Sequence, residues 1–207
     1  MKCYRHHAAA RNKLGMALIL MFATAPGAFA AEWYGGVGFG QAKVKKELGC
    51  SDPDFAGVTC SEDRKDTALR LFGGTELAKN VAVEFGYRDL GEAKLNATDG
   101  VDTVTVKTEA KGFDVSVVGT LPVGTDFGVI GRVGFFRWDL DAKVDETGFP
   151  SESFSKSGTD LAFGVGVKYN LSKTMALRAE WERLKDLKVE DFKTDIDVMS
   201  VSLAFNF

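Results

Sequence analysis

The stretch FGVIGRVGF (residues 127–135) alternates between two kinds of side chain. One side of the stretch carries Phe127, Val129, Val133 and Phe135. The other side carries Gly128, Ile130, Arg132 and Gly134. A period of two indicates an extended strand, whose successive side chains point to opposite faces. The stretch therefore predicts a β-strand with one bulky apolar face and one face on which glycine and charge occur together.

The same alternation recurs along the chain and predicts eight strands. They cover residues 32–43, 66–77, 80–90, 103–120, 126–140, 157–170, 175–187 and 195–207. The links after the second, fourth and sixth strands are short, whereas the other links are longer and polar. This regularity is typical of an antiparallel up-and-down barrel that crosses an outer membrane, and a β-sandwich would show Greek-key crossings instead.

Glycine indicates which face points inward. The charged face is also rich in glycine, with Gly36, Gly38, Gly40, Gly86, Gly134, Gly164 and Gly166. A solvent-facing strand surface has no reason to lose its side chains, whereas the lumen of an eight-stranded barrel is narrow. We therefore predict an all-β, eight-stranded antiparallel transmembrane β-barrel rather than a soluble ligand-binding barrel. Aromatic girdles are expected from Trp33, Tyr34, Tyr169, Phe205 and Phe207 at one rim and from Tyr87, Phe135 and Trp138 at the other.

Residues 1–30 have the three-part pattern of a secretory signal peptide. Four basic residues precede an apolar run, and Ala28 and Ala30 lie where signal peptidase requires small residues. An uncleaved anchor is the alternative. The expected barrel domain, residues 31–207, then carries 22 Lys and Arg against 29 Asp and Glu, a net charge of about −7. We expect no nucleic-acid partner, because such an acidic domain shows no basic patch.

The two cysteines of this domain, Cys50 and Cys60, predict a disulfide in an exported and oxidising setting. A two-cysteine metal site is the rival, but no histidine completes it, because His6 and His7 both lie in the signal segment. The same absence disfavours a barrel enzyme that uses histidine for proton transfer. We therefore expect no enzymatic activity, no catalytic residue, no cofactor and no metal.

Charged residues on the inward faces predict a charge network in the lumen. Its expected members are Arg70, Glu84, Asp114, Arg132, Lys168, Arg178 and Glu180. Charges in a narrow barrel must pair, because an isolated buried charge is costly. A salt-bridged plug is the favoured interpretation, and a small conducting pathway is the alternative. Acidic residues of the first loop, among them Asp52, Asp54 and Glu62, could bind a divalent cation or simply be solvated.

Two longer segments carry a family resemblance. Residues 110–144 (AKGFDVSVVGTLPVGTDFGVIGRVGFFRWDLDAKV) resemble the central two strands of the OmpA-type outer-membrane barrel, and residues 72–90 (FGGTELAKNVAVEFGYRDL) resemble its preceding hairpin. The opening EWYGGVGFG and the terminal SLAFNF are similar too. The resemblance implies a salt bridge of Glu84 with Arg132 or Lys168. The resemblance ends with the last barrel strand, so we do not expect the cell-wall tethering of a periplasmic peptidoglycan-binding domain to carry over.

The resemblance also implies a location and a role. We expect a non-enzymatic protein of the outer membrane that supports envelope integrity and makes surface interactions through long extracellular loops. A small, mostly closed pore is the alternative. The expected partners are membrane lipid and lipopolysaccharide, the outer-membrane assembly machinery, and a host or surface ligand at the loops. The final strand resembles the signal that this machinery reads, with Met199, Val201, Leu203, Phe205 and Phe207 on one face.

Overall fold

The computed structural model describes residues 32–46, 50, 57–189 and 192–207. The strands are β1 Trp33–Val44, β2 Thr59–Asp63, β3 Lys65–Ala78, β4 Val81–Thr98, β5 Thr103–Val123, β6 Phe127–Glu146, β7 Glu152–Asn170, β8 Met175–Val189 and β9 Phe192–Asn206. Within this part of the chain, no helix has the length and apolarity needed to cross a membrane. The predicted signal peptide, residues 1–30, lies outside the described residues.

The strands close into a barrel through antiparallel pairing of each strand with its neighbours. The sheet runs β4-β3-β1-β9-β8-β7-β6-β5, and β4 pairs with β5 to complete the circle. The short β2 pairs with the outer part of β4 and continues the line of β3 past Arg64. Nine strand segments therefore occupy eight positions around the barrel. The predicted eight-stranded antiparallel fold is confirmed.

The two faces of each strand differ as the alternation requires. Outward-facing apolar side chains are well exposed, with 66% for Phe39 and 61% for Phe85. Inward-facing Glu84 is fully buried. The prediction that Tyr34 and Trp138 belong to the aromatic girdles is wrong, because both are buried inside the barrel. Each lies an even number of positions from the inward-facing residues of its own strand. Because side chains alternate between the two faces, both must point inward.

An apolar band surrounds the barrel and ends at a ring of polar residues toward the end that carries the longer connections. We call this the outer polar ring. It consists of the first polar outward-facing residue on each strand, namely Gln41, Thr67, Asp89, Lys111, Arg137, Thr159, Arg183 and Asp197. Arg183 and Asp197 pair across β8 and β9, with Nε 2.7 Å from Oδ1.

Four strands continue far beyond this ring. β4 to β7 contain 18 to 21 residues, whereas about 9–11 residues cross a bilayer. Only residues 99–102 link β4 to β5, and residues 147–151 link β6 to β7. The expectation of long loops at these two connections is therefore wrong. Most of these polar segments extend the hairpins, because their cross-strand partners continue the hydrogen-bonded ladder.

Two β-bulges interrupt the regular pairing just beyond the ring. The register of β4 shifts between Asp89 and Glu92, and that of β8 shifts between Leu184 and Leu187. Gly91 and Asp186 adopt positive φ angles of 74° and 61° at these points. An extra residue reverses the parity of a strand beyond it. Leu90 and Leu95 both face inward for this reason, although they are five positions apart, a spacing that would put them on opposite faces of a regular strand.

Candidate functional site

Eight charged side chains meet in the middle of the lumen, and we call them the lumen charge network. They are the basic Arg70, Arg88, Arg132 and Arg178 and the acidic Glu84, Asp114, Glu180 and Glu182. Seven of them are buried, and the side chain of the eighth, Arg70, is only 9% exposed. Four positive charges therefore balance four negative charges, and the network is formally neutral.

Glu84 on β4 receives contacts from three arginines and one tyrosine. Arg70 Nη1 lies 3.2 Å from Oε2, and Arg132 and Arg178 also form salt bridges with this carboxylate. The Tyr34 hydroxyl donates a hydrogen bond of 3.0 Å to Oε1. Charge-assisted hydrogen bonds from several donors offset the desolvation of a buried carboxylate. Glu84 is thus the residue on which most of the network converges.

Asp114 and Glu182 link opposite walls through Arg88. Arg88 Nε lies 2.7 Å from Asp114 Oδ1 on the adjacent β5, and Nη2 lies 2.6 Å from Glu182 Oε2 on β8 across the lumen. Asp114 also accepts from Arg70 Nη2 at 2.8 Å. Arg132 on β6 also contacts Glu182, with Nη1 3.1 Å from Oε2. The side chains therefore form a continuous cross-link through the barrel interior.

Glycines opposite the charged residues provide the room for these long side chains. A Cβ atom added at Gly86 would lie 2.6 Å from Asp114 Oδ1, and one at Gly164 would lie 2.6 Å from Glu182 Cγ. At Gly166 the corresponding distance to Glu180 Cγ is 2.7 Å. Real side chains do not approach so closely, so any larger residue would displace the network. The glycine-rich inward face and the charged inward face are therefore one feature of the packing.

Apolar layers enclose the network on both sides. Toward the end with the short turns, Tyr34 and Phe72 pack with two alanines, Ala82 and Ala204. Toward the outer end, Phe136 and Trp138 lie in a larger apolar cluster. These apolar layers exclude water from the network, so its ion pairs lie in a medium of low dielectric constant. The lumen is thus occupied in succession by an apolar layer, the charge network and a second apolar layer.

The structure brings six of the seven residues expected in the lumen network together, namely Arg70, Glu84, Asp114, Arg132, Arg178 and Glu180. Of the two partners that the family resemblance implied for Glu84, Arg132 contacts it. Lys168 is partly exposed near the short-turn end and forms no ion pair with an acid of the described chain. Sequence reasoning left out Arg88 and Glu182, although both lie on the predicted inward parity.

The predicted disulfide joins Cys50 and Cys60, whose Cα atoms are 5.5 Å apart. It ties β2 to the preceding connection, and the Cys50 N–H donates to Glu62 Oε1 at 2.8 Å. Glu62 also lies 3.5 Å from Arg64 Nε. Asp52 and Asp54 lie outside the described residues. Where the chain is described, no group of three or more His, Cys, Asp and Glu side chains is arranged to hold a metal ion.

The last strand lies against the first. The outward face carries Met199, Val201, Leu203 and Phe205 of β9, followed by Phe207 directly after the strand. The β1–β9 ladder includes the pair Val37 and Leu203, and the Phe207 N–H donates to the Trp33 carbonyl at 2.9 Å. This pairing removes both free edges of the sheet.

Comparison with known proteins identifies the group to which this barrel belongs. The sequence model of the outer membrane protein beta-barrel domain matches residues 14–207. The chain belongs to this outer-membrane β-barrel family. It is also 22% identical over 178 residues to outer membrane protein A of Shigella flexneri, a match that covers 84% of this chain and 48% of that protein. The chain therefore spans about half the length of this curated relative.

Two solved structures, Ail and Neisserial surface protein A, share this fold. Ail, the attachment invasion locus protein of Yersinia pestis in complex with the heparin analogue sucrose octasulfate, has a TM-score of 0.54 and 18% identity, with 86% of this chain and 99% of that chain covered. Neisserial surface protein A has a TM-score of 0.53 and 16% identity, with 84% and 97% covered. These identities show a shared fold.

Membership of the family establishes the setting of the chain. It is an outer-membrane protein whose strands cross the bilayer. Proteins of this family are generally non-enzymatic. The apolar band is therefore the surface that contacts lipid, and the segments beyond the outer polar ring project from the membrane.

Proposed function

We propose that this barrel is a non-enzymatic outer-membrane protein with a structural role in envelope integrity and a surface-interaction role. The observation that carries the proposal is the neutral charge network held between two apolar layers of the lumen. Side chains that cross-link opposite walls stabilise the shape of the barrel and obstruct the passage of solutes. A barrel of this construction contributes a rigid membrane-spanning element rather than a steady aqueous channel.

The surface role rests on the part of the chain beyond the outer polar ring. There the β4–β5 and β6–β7 hairpins continue as paired strands and carry their tips beyond the ring. Both tips expose an apolar side chain, Val101 at 85% and Phe149 at 68%. The proposed partners are lipopolysaccharide beside the hairpins and a host or surface ligand at the tips. Ail of Yersinia pestis, whose structure contains a heparin analogue, provides a precedent for ligand binding on this fold.

A small pore that opens briefly is a second candidate function. One feature of the lumen charge network favours it. Glu84 is shared by three arginines, and Arg132 lies within 4 Å of three acids, so these two groups have alternative partners. Exchange of partners would open the lumen only transiently, because every exchange must pass through an unpaired buried charge.

Single-channel recording of the purified protein in planar bilayers separates the two candidates. The structural role predicts an electrically silent membrane, and the second candidate predicts small, infrequent steps. Large steady currents would contradict the proposed closed lumen. A deletion strain examined for envelope leakiness and for surface binding tests the structural and surface roles directly, and unchanged leakiness and binding would overturn them.

A further inference from the structure

A cavity of about 230 Å³ lies at the outer end of the barrel, beyond the outer polar ring. Twelve of its eighteen lining residues are apolar, and the largest of these are Leu90, Leu95, Leu140, Phe154, Leu187 and Ile196. Most of these side chains are nearly inaccessible to solvent, with 5% exposure for Leu95 and 2% for Leu187. Buried leucines therefore surround a space that no side chain occupies.

Local backbone structure directs these leucines toward the cavity. The bulge at Gly91 reverses the parity of β4 and brings Leu95 to the inner face, where Glu92 and Lys94 would otherwise point. The bulge at Asp186 does the same for Leu187 on β8. Bulges are concentrated at barrel rims and binding sites, where they redirect side chains. Two of them at the same height make the outer lumen apolar although the flanking sequence is highly charged.

Acidic side chains satisfy the backbone of both bulges. Asp89 Oδ1 accepts from the Gly91 N–H at 3.0 Å, and Asp66 Oδ2 accepts from the Glu92 N–H at 2.7 Å. On the other bulge, Asp195 Oδ1 accepts from the Asp186 N–H at 3.0 Å. Because these donors are hydrogen-bonded, they present no polar requirement to the cavity. The other polar residues of the lining are Arg64, Glu92, Thr108 and Thr194, and three of them have partners outside the lining, namely Glu62, Lys94 and the Asp195 carbonyl. Most of the wall therefore offers apolar contact.

The inner side of the cavity is closed. Leu90, Leu140 and Leu187 belong both to the cavity wall and to the apolar cluster that contains Phe136 and Trp138. The Trp138 ring is held by a hydrogen bond of 2.7 Å from Nε1 to Asp160 Oδ2. Beyond this cluster lies the lumen charge network. A molecule in the cavity has no route onward through the lumen.

We propose that this cavity binds a small, uncharged, apolar molecule taken from the external medium. An apolar cavity of about 150 Å³ in a protein interior stays dry and accommodates benzene, so this one has room for a molecule of about nine non-hydrogen atoms. The occupant is a free molecule rather than a lipid acyl chain, because the cavity lies on the solvent side of the apolar band. The barrel is then a receptor for such a molecule, which goes beyond its role in the envelope.

Toluene is a suitable probe, and benzoate is its charged counterpart. Binding is measured by ligand-observed NMR on the protein in lipid nanodiscs, with empty nanodiscs subtracted to remove partition into lipid. We expect saturable binding of one toluene per barrel. Benzoate should bind more weakly, because its carboxylate loses water among the apolar side chains and Arg64 is the one basic residue of the lining.

Three variants locate the site. Ala142→Phe fills the cavity and is expected to reduce toluene affinity at least about tenfold. Val106→Thr keeps the shape of a lining side chain but adds a hydroxyl, and is expected to weaken binding about fivefold. Val104→Thr, two residues away on the same strand and outside the lining, is the matched control and is expected to leave affinity unchanged.

Several results would overturn the proposal. Toluene uptake that never saturates, or that is equal in the wild type and all three variants, would show partition into lipid only. Saturable binding that survives Ala142→Phe would place the ligand elsewhere. If Ala142→Phe does not fold, as judged by its heat-modifiable migration in gels, the comparison of Val106→Thr with Val104→Thr decides. Equal affinities in that pair would exclude the cavity.

Discussion

Glu84 shows how much one residue depends on its surroundings in this barrel. Its carboxylate is fully buried and is contacted by Arg70, Arg132 and Arg178. Removing one partner from a buried ion pair leaves an uncompensated charge, which is more costly than loss of the attraction alone. The stability of the lumen is therefore most sensitive at this residue.

We predict that Glu84→Gln lowers the free energy of unfolding by about 3–5 kcal/mol, because the four arginines would then face three acids. Urea unfolding in lipid vesicles, followed by tryptophan fluorescence, measures the change. Glu109→Gln is the matched control. Its side chain is 51% exposed beside Lys111, so a change below about 1 kcal/mol is expected. An equally small effect of both substitutions would contradict the structural importance of the network.

Residue-level prediction from the sequence was correct where parity alone decides the direction of a side chain. Arg132 is predicted to face inward because it shares a face with Gly128 and Gly134, and Glu180 because it lies on the charged face of its strand. Tyr34 and Trp138 follow the same parity but were assigned to the lipid-facing girdles on the basis of their chemistry. Their rings are accommodated inside because residues such as Gly158 leave space, since a Cβ atom there would lie 2.5 Å from the Trp138 ring.

At the scale of the strand, the sequence identified all eight barrel positions but not how far the strands continue. The predicted third strand stops at residue 90, whereas β4 continues to Thr98. The bulge at Gly91 explains the error, because the inserted residue breaks the period of two on which the prediction depended. For the same reason, the sequence predicts neither the cavity nor the residues that line it. The parity reversal at Gly91 has no local signature beyond a glycine among polar residues, and the reversal at Asp186 has no glycine.

The carboxylate of Asp66 makes the β4 bulge sensitive to pH. Hydrogen bonds from the backbone N–H groups of Glu92 and Thr67, each 2.7 Å long, hold the pKa of Asp66 below its ordinary value. A carboxyl group whose pKa is lowered by folding stabilises the folded state above its ordinary pKa and loses this effect as the pH falls through the lowered value. The contact is therefore complete at neutral pH and is lost as the pH falls below the ordinary pKa of an aspartate.

We predict that the amide resonances of Glu92 and Thr67 titrate together, with a midpoint below about 3.9, the usual pKa of an aspartate. NMR spectra of the protein in nanodiscs recorded from pH 7 downward measure this transition. In Asp66→Asn, which has no carboxyl group, both amides should stay constant over the same range. A midpoint at or above the usual value in the wild type would show that the two hydrogen bonds do not form.

At the scale of the whole molecule, closure depends on the seam between the two ends of the barrel domain. β1 and β9 pair along eleven residues each, and Phe207 completes the ladder through the Trp33 carbonyl. Barrels have no free sheet edge only when this seam is formed. The outward face of β9 also carries the residues that we propose as the assembly signal.

Deletion of Phe207, or addition of charged residues after it, is predicted to impair insertion while secretion continues. The expected result is a fall in outer-membrane yield with accumulation of unfolded protein in the periplasm, measured by fractionation and heat-modifiable migration in gels. Val101→Ser at an outer hairpin tip is the control, because it alters an exposed apolar residue far from the seam. An unchanged yield after deletion of Phe207 would count against the proposed signal.

The arrangement of the lumen charges has a consequence for the timing of biogenesis. Arg88 on β4 and Arg132 on β6 find Glu182 only when β8 is in place. Before β8 arrives, Arg70, Arg88 and Arg132 share only Glu84 and Asp114, so one positive charge is unbalanced. An arginine that faces lipid costs about 2–4 kcal/mol near the bilayer midplane. Strands inserted one at a time would carry that penalty, so the nascent interior must stay hydrated until the late strands arrive. Loss of water from the lumen is thus a late step of membrane insertion, and it makes insertion difficult to reverse.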